Sequence, residues 1–127
     1  MTAHGHVHWN ELNTRDAEKA KSFYGTAMGW TFDRMEMGDD APYWICKDGD
    51  QVIGGIFTMS GAAFDGVPDH WLTHFAVADI DMAVAQAKKD GGEILKEPWD
   101  LPEIGRIAIV RDPGGAVTGW MTPAPTN

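Results

Sequence analysis

Two side chains suited to proton transfer, Glu11 and His74, stand 63 positions apart in a chain of 127 residues. A carboxylate and an imidazole that face one organic molecule can remove a proton and return it, provided burial or mutual charge tunes both towards neutrality. The structural alternative is a buried Glu–His ion pair that satisfies two polar groups. Both residues lie in extended runs. Alternation along a strand sets Trp9, Glu11 and Asn13 on one face, and Leu72, His74 and Ala76 on one face of another. Trp9, Trp44, Trp71, Trp99 and Trp120 are available as an aromatic box for a planar or cationic ligand, or as core packing. Arg106, after Gly105, suits an anionic group or an acid at a strand edge. His4, His6 and His8 alternate and offer an adventitious nickel or zinc site.

The elements that must position these residues repeat. Shifting the chain by 63 places Asp16 on Asp79, Ala20 on Ala83, Gly29 on Gly92 and Phe32 on Leu95, and two such lengths account for nearly all 127 residues. Each copy reads βαβββ. Repeat one spans about 6–59, a Gly- and Pro-bearing linker about 60–69, and repeat two about 70–123, within a single domain of residues 1–127. In repeat one, Val7 to Thr14 is extended, and Thr14 or Asp16 offers a helix cap. Ala17, Ala20, Phe23, Tyr24 and Ala27 then mark an apolar helical face that Gly29 ends. Trp30 to Met37 reads as a strand and 38–42 as a polar loop. A hairpin follows, Tyr43–Lys47 and Gln51–Phe57 around Asp48-Gly49-Asp50. Repeat two opens with the run from His70 to Val77, and its helix covers Ile80 to Lys89, with Asp79 or Asp81 at the start and Gly91-Gly92 as the stop. Glu93 to Lys96 is a strand, and 98–105 a loop that carries Trp99, Leu101 and Ile104 as a lid or wall. Two strands around the turn Asp112-Pro113-Gly114-Gly115 complete it. Residues 1–6 read as a loose lead-in.

Composition narrows the partners. A net charge of −9, with ten scattered Lys and Arg, argues against nucleic acid and anionic membranes. No apolar run approaches the ~18 residues of a membrane span and no basic-then-apolar leader opens the chain, so the expected compartment is the cytoplasm. Cys46, the single cysteine, permits no internal disulfide and reads as strand packing. A chain that is 43% hydrophobic can bury a sizeable core.

Paired βαβββ units, Phe23-Tyr24 in the first helix, Gly91-Gly92 after the second, and Gly105-Arg106 followed by Asp112-Pro113-Gly114-Gly115 resemble the vicinal-oxygen-chelate superfamily. It includes glyoxalase I, bleomycin-resistance proteins and extradiol dioxygenases. Trp9-Asn10-Glu11-Leu12-Asn13-Thr14, His70-Trp71 and Gly105-Arg106 look like its glyoxalase-like subgroup, related to lactoylglutathione lyase. The resemblance implies an α+β fold: one open, cup-shaped, eight-stranded mixed sheet with helices outside and a ligand within. It also implies metal positions on the first and last strands of each repeat, which here fall on Trp9, Leu72, Gly119 and the stretch 54–56, none of them a ligand for a divalent cation. A metal enters only if the strand register slips by one residue, which brings in His8 and His6. The expectation is therefore a small-molecule binder, a lyase or isomerase if an enzyme, without metal or other cofactor. Glu11 and His74 carry the acid/base roles, and Trp9, Asn13, Leu72, Trp99, Arg106 and Trp120 contact the substrate. The alternatives are a drug- or metabolite-sequestering protein of the bleomycin-resistance type and a metal-dependent lactoylglutathione lyase. The edges of an open sheet provide for a homodimer.

Overall fold

Both halves fold on the βαβββ plan. The computed structural model describes residues 4–38, 40–101 and 104–124. Its elements are β1 (Val7–Thr14), α1 (Ala17–Met28), β2 (Thr31–Met37), β3 (Asp40–Asp48), β4 (Gln51–Thr58), a 3-10 turn (Ala62–Phe64), β5 (His70–Ala76), α2 (Ile80–Lys89), β6 (Glu93–Leu101), β7 (Gly105–Arg111) and β8 (Val117–Pro123). The strands form an open, mixed, eight-stranded sheet in the order β2-β3-β4-β1-β5-β8-β7-β6. The chain divides into two compact units, Trp9–Trp71 and the remainder. No helix among the described residues is long and apolar enough to cross a membrane.

In the Trp9–Trp71 unit, β1 pairs with β4 in parallel while β3 pairs antiparallel with β2 and β4. Asp16 starts α1 by accepting from the backbone N–H of Lys19 at 3.0 Å, and Gly29 closes it at φ 74°. Leu12, Cys46 and Ile56 are buried together, with Ala17, Ala20 and Tyr24 of α1 packed against them. Leu12 therefore points at the helix, and alternation turns Trp9, Glu11 and Asn13 to the other face. Phe23, expected on the buried side of α1, is 63% exposed and meets Tyr24 edge-on. The linker is fastened by β1's end: Thr14 Oγ1 and the Arg15 N–H both donate to the Asp69 carboxylate. The Arg15 guanidinium also donates to the carbonyls of Phe64 and Val67.

In the other unit β5 pairs in parallel with β8, which continues antiparallel through β7 to β6. Val77, Ile80, Val84, Ala108 and Val110 form its buried cluster, with Ala83, Ala87, Ile94 and Trp120 against it. Asp79 caps α2 by accepting from the N–H groups of Asp81 and Met82. At the β7–β8 turn the Asp112 carboxylate accepts from the N–H groups of Gly114 and Ala116.

Three expectations change. The polar loop at 38–42 is shorter, because Asp40 already pairs with Met37 as β3 begins; residue 39 lies outside the described residues. The lid at 98–105 is largely strand: β6 runs to Leu101, with Trp99 opposite Ile107, Asp100 opposite Arg106 and Leu101 opposite Gly105. Pro98 is tolerated because β6 ends the sheet and its register shifts between Lys96 and Trp99; residues 102 and 103 lie outside the described ones. The lead-in is tied down, since Gly5 N–H donates to the carbonyl of Ala76, Ala76 N–H to that of His6, and Ala78 N–H to His4 Nδ1. The last contact occupies one ring nitrogen of His4 with structural work.

Candidate functional site

On the face of β1 turned from α1, Glu11 lies in register with Gly55 of β4, which in turn lies opposite Ile45 of β3. The Tyr43 hydroxyl donates to Glu11 Oε2 at 2.8 Å, and the Trp9 indole Nε1–H donates to that hydroxyl at 2.8 Å. Glycine at 55 is a steric requirement: a Cβ there would sit 2.0 Å from the Tyr43 hydroxyl oxygen. Burial raises the Tyr43 phenol far above its ordinary value, and the neighbouring Glu11 charge pushes the same way. Tyr43 thus remains a donor to the carboxylate. Asn13, 6% exposed, directs its amide N–H₂ at the Glu11 carbonyl across a long 3.4 Å.

In the other unit, His74 of β5 is 5% exposed and in register with Gly119 of β8. A Cβ at 119 would stand 2.2 Å from His74 Nδ1, so here the imidazole itself fills the space a side chain would take. Leu72 and Ala76, two residues either side of His74, are buried. Ala76 is in register with Met121, Met121 with Ile107 and Ile107 with Trp99, so Trp99 belongs to the His74 face. Lys96 holds its ammonium 3.8 Å from the centre of the Trp99 ring.

Two residues expected at the ligand lie on the opposite face. Trp120 is in register with Ala108 and packs on the α2 core cluster, donating its indole N–H to Thr118 Oγ1. Arg106 reaches Asp81 of α2 through Nε and Nη2, both at 3.1 Å, and Asp100 at 3.3 Å. The same contact holds the Asp81 carboxyl below the usual carboxylate range. Strand alternation is the reason. Arg106 shares its face with Ala108 and Val110, and Trp120 follows Gly119, whose side faces His74. Nor do the tryptophans make one box: Trp44 packs on the Leu12 core with the Lys21 ammonium 3.1 Å over its ring, and Trp71 donates to the Tyr24 hydroxyl.

Tyr43 is the neighbour of Glu11 that sequence reasoning missed. The signal was present in the adjacent Gly54 and Gly55, which in mid-strand mark the close approach of another group. Cys46, fully buried, has its thiol pushed up to about 11 by that burial.

The positions that a divalent metal would need do not fit one. Trp9 offers an indole N–H already given to Tyr43, Leu72 is buried hydrocarbon and Gly119 has no side chain. Among the described residues, no three His, Cys, Asp or Glu are grouped as metal donors.

The profile of the Glyoxalase/Bleomycin resistance protein/Dioxygenase superfamily matches residues 5–118. The chain is 39% identical over 121 residues to "Putative glyoxylase CFP32" of Mycobacterium tuberculosis, covering 95% of this chain and 45% of that protein. It is 36% identical over 113 residues to "Anthracycline biosynthesis protein DauV" of Streptomyces sp. strain C5, covering 88% of this chain and 39% of that one. The chain thus spans less than half the length of these relatives. Among solved structures, methylmalonyl-CoA epimerase from Mycobacterium tuberculosis superposes with a TM-score of 0.67 at 18% identity, over 98% of this chain and 94% of that one. With that profile covering most of its length, the chain belongs to the Glyoxalase/Bleomycin resistance protein/Dioxygenase superfamily.

Proposed function

We propose that this protein is a small-molecule lyase or isomerase in which Glu11 and His74 move a proton without a metal or other cofactor. The observation that carries this reading is the matched placement of the two residues. Each stands on the first strand of its βαβββ unit, in register with a glycine of the last strand. At Gly119 the space is taken by the His74 ring itself, and at Gly55 by Tyr43, whose hydroxyl holds Glu11. The relative named as a glyoxylase and the superfamily itself support a small organic substrate.

The substrate class is a carbon acid whose C–H lies next to a carbonyl. Glu11 takes the proton, the electron pair stays on the substrate as an enolate, and His74 returns a proton to it. The Leu72, Ala76 and Trp99 side chains supply apolar contact on the His74 face. The test is deuterium incorporation from D₂O into a panel of α-substituted thioesters and hemithioacetals, followed by NMR. Wild-type protein is expected to exchange at least one substrate, with Glu11→Gln and His74→Ala each slowing exchange about 100-fold or more. Binding without exchange by the wild type, or exchange unchanged in both variants, would overturn the acid/base assignment and favour a sequestering protein.

A further inference from the structure

Resting on that reading, we propose that Tyr43 is a positioning residue that aims the Glu11 carboxylate at substrate. Trp9 sets the direction of its hydroxyl, and the absent side chain at 55 admits its ring. Polarity in this relay runs one way. An indole nitrogen can only donate, so Trp9 Nε1–H occupies a lone pair of the Tyr43 oxygen. The phenolic hydrogen then has Glu11 Oε2 as its acceptor, 2.8 Å away. A carboxylate that accepts a directed hydrogen bond at one oxygen presents the other in a restricted orientation, which a flexible Glu side chain otherwise lacks. The relay also depends on backbone placement. Tyr43 and Ile45 share the β3 face that meets Gly55, and any side chain at 55 would meet the Tyr43 oxygen and ring carbons within 2.0–2.4 Å. At Gly119 in the other unit, His74 itself takes the space a side chain would fill.

The experiment compares Tyr43→Phe, Gly55→Ala and Trp9→Phe in the deuterium-exchange assay, each alone and with Glu11→Gln, alongside melting temperature and the KM–kcat split. Tyr43→Phe is expected to lower kcat about 10-fold or more with KM and melting temperature little changed, and to have no further effect once Glu11 is Gln. Gly55→Ala, which keeps the tyrosine but displaces its ring and hydroxyl, is expected to reproduce the kcat loss. An equal effect of Tyr43→Phe in both backgrounds, or unchanged kcat, overturns the role. A second readout separates this failure from failure of the acid/base reading itself. The Trp9 indole ¹H–¹⁵N resonance, identified by its loss in Trp9→Phe, is expected to shift in both Tyr43→Phe and Glu11→Gln. If wild-type protein exchanges nothing but the resonance responds to Glu11→Gln, the relay stands and the chemistry falls. If the resonance ignores Glu11→Gln, the relay itself is refuted.

Discussion

The two units share a backbone plan and differ in how they fill the gap opposite a glycine. In the unit containing His74, the space beside the facing glycine is taken by the buried imidazole itself. In the Trp9–Trp71 unit, the facing glycine is answered by Tyr43, a residue from a third strand, which brings a hydrogen bond to Glu11. A repeat therefore conserves geometry more strictly than it conserves the group that exploits it. Their helices differ as well. Helix α2 buries Ile80 and Val84 in its core cluster, whereas α1 buries no residue fully and leaves Phe23 63% exposed.

Ile80, 2% exposed, gives the largest expected contrast: Ile80→Ala should cost ~3 kcal/mol of unfolding free energy by denaturant titration. Phe23→Ala on α1 should cost about 0.5 kcal/mol or less, and equal losses would mean that α1 is held as tightly as α2. Next come the glycines. Gly119→Ala should destabilise by ~2 kcal/mol, because a Cβ 2.2 Å from Nδ1 and 3.0 Å from Cγ presses the base of a buried imidazole. Gly55→Ala should cost about 1 kcal/mol, since the Tyr43 ring can swing at its far end. The reverse order would show that Tyr43 is the more rigidly held of the two. The smallest effect belongs to Cys46, whose thiol is raised from 9.0 to about 11 by burial. Between those values the unfolded chain loses the thiol proton and the folded chain keeps it, so Cys46 subtracts stability as pH rises from about 9 to about 11. Cys46→Ala should flatten that part of the stability–pH curve, and an unchanged slope would assign it to other groups.

Much of the site was legible as residues and little of it as contacts. Alternation about Leu12 and about His74 was enough to put Glu11 with Trp9 and His74 with Leu72, because a strand has only two faces. The same rule, applied to Gly119 and to Ala108 and Val110, would have turned Trp120 and Arg106 towards α2. Arg106 went there to meet Asp81, 25 residues earlier in the chain and on another element. The segment from Pro98 to Leu101 reads locally as a loop, since proline removes a ladder donor, yet an edge strand with shifted register accepts it.

The sequence by itself determined the repeat, the two helices, the turn at Asp112 and the placement of an acid and an imidazole at matching strand positions, all of which follow from short-range chemistry and a period of two or of 3.6. Only tertiary structure decided that Tyr43 reaches Glu11, that Gly55 and Gly119 are spaces other side chains occupy, and that Arg106 is consumed by Asp81. Those facts depend on which strands lie side by side and how far a side chain extends across them. Spacing along a single chain does not encode such distances.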